Sequence, residues 1–204
     1  MVVGSNPTWG VTEISVKQMK LVHKVNIENK IRDVKSSLIA EVIASRNSQI
    51  QCGYNFEVFT MYREYLYNIF IDYSKEFLSK FTLTDIDHKV WCYYSDKSSQ
   101  MGDVWHNHMN TATINGVLYL ETVKGCGLQY STVYDCKKIG NIMHEDFNKK
   151  GLKYLEVKNY DLVIFPNFLN HRPIFSKKHP RISLNLELNC LENPLDIFAS
   201  VAQR

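Results

Sequence analysis

Near His88 the hydrophobic period of the chain changes from that of helices to that of strands, and few architectures accommodate such a switch. Upstream, Ile31, Val34, Leu38, Ile39, Val42 and Ile43 recur at spacings of three and four, which predicts an amphipathic helix over about 28–46. Phe59, Tyr62, Leu66, Ile69, Phe70, Tyr73 and Phe77 predict a second helix, from about Phe56 to Phe81, with a wide aromatic face. Asn47 to Tyr54 reads as the loop between them. Downstream the period is two. It is clearest in Arg181–Leu188, where Ile182, Leu184, Leu186 and Leu188 alternate with Arg181, Ser183, Asn185 and Glu187. Val90–Tyr94, Val104–His106, Thr113–Glu121, Gly127–Val133, Leu152–Val157, Asp161–Phe165, His171–Phe175 and Arg181–Asn189 complete a set of about eight short strands, enough for two facing sheets in a jelly roll. Helices first and strands after predict an α+β fold with the N-terminal helices packed on one sheet. Ser131–Lys150 has no clear pattern and reads equally well as a lid or as a surface loop.

At 204 residues the chain has room for one sizeable core, so a single domain over 1–204 is expected, helical to about 82 and sheet-rich from 83. Hydrophobic residues at 45% and charged residues at 22% argue against disorder, and no apolar run is long enough to span a bilayer. The stretch up to Lys20 lacks the basic start and apolar centre of a secretory signal. Five cysteines, Cys52, Cys92, Cys126, Cys136 and Cys190, show no Cys-x-x-Cys pairing, which suits a reducing, cytoplasmic setting. A net charge of +3 with dispersed Lys and Arg gives no strong nucleic-acid signal. The local cluster Lys177-Lys178-His179 reads as a solvated turn, or as an attraction for an acidic substrate.

The chemistry-bearing residues lie in the strand-rich part. His106 and His108 are two positions apart, so on a strand both imidazoles leave the same face and can address one centre. His171 follows an apolar strand and a Pro-containing turn, Leu162-Val163-Ile164-Phe165-Pro166-Asn167-Phe168-Leu169-Asn170-His171, where a neighbouring strand can supply a third nitrogen. Arg181 and Ser183 come ten and twelve positions later and share one strand face. His23, His88, His144 and His179 have no partner at metal-ligand spacing. Tyr119 sits on a strand within reach of such a site or packs in it, and Trp91, Tyr93 and Trp105 line a pocket or join the core.

At these residues, over roughly 88 to 190, the chain resembles the iron(II)- and 2-oxoglutarate-dependent oxygenases, in particular an uncharacterised branch with His-x-His. The motifs are Trp105-His106-Asn107-His108, Asn115-Gly116-Val117-Leu118-Tyr119-Leu120, the Leu162–His171 segment and Arg181-Ile182-Ser183. The resemblance implies a double-stranded β-helix, the jelly roll of that family. It also implies His106, His108 and His171 as ligands of Fe(II), with Arg181, Ser183 and Tyr119 holding 2-oxoglutarate. The implied activity is that of a dioxygenase of the hydroxylase type, oxidising a small molecule or a peptide side chain with succinate and CO2 as co-products. One element departs from the family's pattern. The position two after the first histidine usually carries a carboxylate, completing a 2-His-1-carboxylate triad; here it is His108. An alternative register makes His108 the first ligand and Asn110 the substitute for the carboxylate, with His106 outside the ligand set. Three neutral imidazoles leave the site one negative charge short, which favours zinc or nickel more than a carboxylate would.

Two other readings stay open. A cupin-like three-histidine metalloprotein would act without 2-oxoglutarate as another dioxygenase, an isomerase or a binding module, and it has no need of Arg181 with Ser183. A degenerate fold kept for protein contacts would bind no metal. The aromatic helical face also leaves a homodimer open.

Overall fold

The alternation in the last strand sorts the whole molecule into layers. The structure, a computed structural model, describes residues 21–48, 55–58, 60–77, 83–86, 90–95, 105–109, 111–131, 151–174, 176 and 180–190. Its elements in chain order are β1 (His23–Asn26), α1 (Glu28–Ile31), α2 (Lys35–Ser48), β2 (Asn55–Val58), α3 (Arg63–Phe77), β3 (Leu83–Ile86), β4 (Val90–Ser95), β5 (Ile114–Glu121), β6 (Gly127–Ser131), β7 (Leu152–Glu156), β8 (Asp161–Pro166), β9 (His171–Ile174) and β10 (Arg181–Cys190). A 7-stranded sheet runs β1-β8-β5-β10-β4-β2, with β3 also paired to β10, and a 3-stranded sheet runs β7-β6-β9. Every pairing between them is antiparallel.

Ile182, Leu184, Leu186 and Leu188 point from β10 into a core shared with Ile114, Leu118 and Leu120 of β5, Leu162 and Ile164 of β8, Leu38 and Val42 of α2, and Leu66, Ile69 and Phe70 of α3. The helices therefore cover one face of the larger sheet, as the periodicity predicted. The opposite face carries Val117 and Tyr119 of β5 and Val163 and Phe165 of β8, which pack with Leu128 of β6 and, at the edge, Leu155 of β7. The two sheets thus enclose a second, smaller core, and Arg181, Ser183, Asn185 and Glu187 look toward that side.

Two close approaches fix these layers. A Cβ on Gly116 would lie 2.5 Å from Cε2 of Phe70, so glycine is what lets α3 seat its ring on β5. A Cβ on Gly127 would lie 2.1 Å from the Leu155 carbonyl oxygen, so the β6–β7 pairing needs glycine as well.

The N-terminal part differs from expectation in three places. The stripe over 28–46 is carried by two helices, yet it stays continuous because Val34 in the intervening turn is tied to both, its N–H to Ile31 O at 3.0 Å and its O to the Leu38 N–H at 2.9 Å. The second helix starts at Arg63, and Asn55–Val58 is a strand: Asn-Phe-Glu-Val alternates with period two, and Thr60 Oγ1 accepts the Tyr62 N–H at 3.1 Å to open the helix. His23–Asn26 adds an edge strand to β8 that the helical pattern did not announce. Of the expected strand ending at His106, Trp105 and His106 are described, and His106 makes an isolated bridge to His171. Residues 1–20, most of the 47–54 loop, Val104, Asn110, most of the 131–150 span, 177–179, His88 and His144 lie outside the described residues. Among the described residues no helix is long and apolar enough to cross a membrane.

Candidate metal and anion site

The three histidines meet because β8 leaves the larger sheet through a turn and returns as β9 in the smaller one. His171 opens β9, and its main chain exchanges two hydrogen bonds with His106, N to O at 2.9 Å each way. His108 is held by its own N–H to Asn167 O at 2.8 Å, within that turn. Asn107 Nδ2 donates to Asn170 Oδ1 at 3.0 Å and ties the intervening residue to the same turn. The expected face-sharing of His106 and His108 is realised by this turn without a regular strand.

One ligand atom from each of His106, His108 and His171 lies within 4.8 Å of the others. Metal–nitrogen bonds of about 2.1 Å separate two ligand atoms by at most about 4.2 Å, so small side-chain rotations bring the three onto one ion. Ring centroids are 4.3 Å apart for His106–His171 and 5.2 Å for the other two pairs. The burial is graded: His171 is 3% exposed, His108 half-buried and His106 open. Burial, and after it the neighbouring His106 and His108, hold the His171 imidazole well below its usual protonation range. It is therefore neutral, the form that ligates a metal. Its Nδ1 is 2.8 Å from Leu169 O, so Nδ1–H donates there and Nε2 keeps the lone pair.

A cavity of about 200 Å³ runs from these imidazoles to Arg181 and Ser183. Tyr93, Val117, Tyr119, Leu128, Pro173 and Asn185 form its remaining walls. In register, Ser183 lies between Tyr93 of β4 and Tyr119 of β5. The Arg181 guanidinium sits 5.1 Å from the Tyr93 ring centre and 4.9 Å from that of Tyr119, a cation held between two aromatic faces. Arg181 is 3% exposed, yet its Nε and Nη1 have no hydrogen-bond partner, nor does Ser183 Oγ, which is fully buried. Among the described residues no carboxylate pairs with this arginine. A buried cation left unpaired costs several kcal/mol. Among the described residues no anion faces it, and Tyr119, its phenol pushed up mainly by burial, does not supply one.

The residues expected from sequence fall as follows. His106, His108 and His171 come together, and Arg181, Ser183 and Tyr119 line the same cavity. Tyr93 joins them, Trp91 is 38% exposed, and Trp105 is buried with the Arg172 guanidinium 5.2 Å from its ring centre. His23 stands on the edge strand β1. Sequence reasoning missed Glu187, whose Oε1 is 3.2 Å from His108 Nδ1. Its signal was present, since Glu187 follows Arg181, Ser183 and Asn185 on the polar face of β10.

This jelly-roll-like, antiparallel fold is shared with the solved structures of a non-heme alpha-ketoglutarate-dependent carbocyclase and of prolyl 4-hydroxylases. The chain superposes on SnoK, a non-heme alpha-ketoglutarate-dependent carbocyclase from nogalamycin biosynthesis, with a TM-score of 0.65, 9% identity, and coverage of 92% of this chain and 88% of that one. For a Pseudomonas putida prolyl-4-hydroxylase the TM-score is 0.52 at 14% identity, covering 83% and 92%. For a prolyl 4-hydroxylase from Phytophthora capsici it is 0.54 at 13% identity, covering 85% of this chain and 60% of that one, so the chain spans about three fifths of that enzyme. At these identities the likeness is one of fold. The sequence matches no protein-family model and no curated protein.

Proposed function

We propose that the chain is an iron(II)- and 2-oxoglutarate-dependent oxygenase, a single domain whose two sheets form a double-stranded β-helix. The observation that carries the reading is Arg181. A buried, unpaired guanidinium shares one small cavity with three converging imidazoles, and a dicarboxylate with a chelating oxo-acid end fits both. Arg181 offers a fork of donors to the far carboxylate and Ser183 adds a hydroxyl, so the orphaned atoms find partners.

In this reading His106, His108 and His171 hold the metal through imidazole nitrogens. When bound, iron(II) and the oxo acid supply an O2-derived oxidant, with succinate and CO2 left as co-products. The chain's own contribution is placement. The Leu169 carbonyl fixes the His171 tautomer, Tyr93 and Tyr119 clamp the guanidinium, and Val117, Leu128 and Pro173 keep water from the buried end. The substrate, a small molecule or a peptide side chain, approaches from the exposed His106 side. A cupin-like site without 2-oxoglutarate gives no reason to bury Arg181 with Ser183.

The test is anaerobic addition of Fe(II) and then 2-oxoglutarate to the metal-free protein, followed by visible absorption. A weak charge-transfer band that Arg181→Ala loses supports the reading. Bound metal with no band in the wild-type protein would refute the co-substrate.

A further inference from the structure

Three neutral imidazoles hold a divalent ion less well than two imidazoles and a carboxylate, and the carboxylate absent from position 108 has a counterpart elsewhere in the fold. Glu187 Oε1 lies 3.2 Å from His108 Nδ1, with side-chain exposures of 16% and 24%, so the pair is largely shielded from water. Thr111 Oγ1 donates to the same oxygen at 3.3 Å, and Thr111 N donates to His108 O at 3.0 Å. The carboxylate is thus tied to the turn that carries His108 as well as to its ring. Glu187 is itself fixed in the middle of β10: its Cα pairs with Asn115 of β5, and its N–H reaches Tyr67 Oη of α3 at 3.4 Å.

We infer that Glu187 is the outer carboxylate of the metal centre. It accepts the Nδ1–H of His108, turns that ring so that Nε2 faces the ion, and returns to the site one negative charge that a histidine at 108 cannot give. This rests on the metal reading above. The arrangement is the carboxylate–histidine–metal relay, in which the partner behind the ligand sets tautomer and basicity. His171 has a main-chain carbonyl in the equivalent place; only His108 has a charged one among these two. Glu187 is a positioning residue, with no contact to the metal or to substrate.

The experiment is anaerobic Co(II) titration of the metal-free full chain, reading affinity and the visible ligand-field spectrum, for wild type, Glu187→Gln, Glu187→Ala and His108→Ala. Loss of an outer partner of this kind weakens metal binding by about 10- to 100-fold. Glu187→Ala is expected to fall in that range with an altered spectrum. Glu187→Gln, which keeps an acceptor oxygen and removes the charge, is expected between it and wild type. A Glu187→Ala protein that binds within twofold of wild type, while His108→Ala loses metal, overturns the inference and leaves the metal reading standing. Wild-type protein that takes up no metal overturns both. Should the alanine variant fail to fold, Glu187→Gln decides alone: affinity within twofold of wild type refutes the role of the charge.

Discussion

His106 and His171 are bound to each other through their main chains, N to O at 2.9 Å in both directions, before any metal is considered. The pair is a miniature of antiparallel pairing that holds two imidazoles with ring centroids 4.3 Å apart. The site is therefore preorganised at the backbone, and side-chain substitutions there should remove ligands without removing the scaffold.

His171→Ala and His106→Ala are each expected to abolish stoichiometric metal binding while the far-ultraviolet circular dichroism is retained. Equilibrium dialysis against Fe(II) under argon, with metal quantified by mass spectrometry, measures it. Full metal occupancy in either variant would remove that residue from the ligand set.

Arg181→Ala is expected to weaken 2-oxoglutarate binding to the metal-loaded protein by about 10- to 100-fold, since charge-assisted hydrogen bonds contribute about 1.5–3 kcal/mol. The same change removes an unpaired buried charge from the ligand-free protein. Thermal unfolding with and without the oxo acid separates the two effects: wild type gains stability from the ligand and the variant does not. A variant that gains as much as wild type contradicts the anion role.

Cys92 is a buried free thiol whose burial pushes its pKa from 9.0 up to about 12, against an opposing pull from Arg181. In the unfolded chain it ionises above about pH 9, whereas in the fold it stays protonated. The unfolded state therefore holds fewer protons there, and stability falls as pH rises from about 9 toward 12. Native protein at pH 8 should react with iodoacetamide at this residue far more slowly than unfolded protein. Between pH 8 and pH 10 the wild type should lose more unfolding free energy than Cys92→Ala; equal losses would show that the thiol does not contribute.

Gly116→Ala places a methyl against the Phe70 ring, which is fully buried and has no free end to swing aside. Overpacking of this kind costs about 1–3 kcal/mol. Urea unfolding should show a lower midpoint with an unchanged slope, and pairing the change with Phe70→Leu should recover part of the loss. A neutral Gly116→Ala would mean that α3 can lift from β5.

Much of this was legible in the chain because β10 is written in strict alternation. Its apolar residues pack in the core beneath the helices, and of its polar residues the two singled out from sequence, Arg181 and Ser183, line the cavity together with Asn185, while Glu187 stands outside that lining. The histidine spacing likewise announced a shared centre. The failures came where local signals competed. Asn55–Val58 carries an aromatic, Phe56, that also fits the start of the following helix, and only the Thr60 start separates the two. β1 is four residues long and takes its identity from β8, a neighbour more than a hundred positions away in the chain. Glu187 was visible as a polar strand residue, but its proximity to His108 depends on where β8 turns into β9, which no periodicity encodes.

Arg181 and Glu187 stand on a single strand. Six residues of extended chain span about 20 Å, and β10 is paired on both sides by β4 and β5. The distance between the group that would grip an acid and the group that would steady an imidazole is set by one paired strand, with a single register shift between Ile182 and Ser183. Surrounding loops can lengthen, shorten or change composition without altering that gauge, so under the proposed function a change of substrate would leave the grip on the oxo acid as it is.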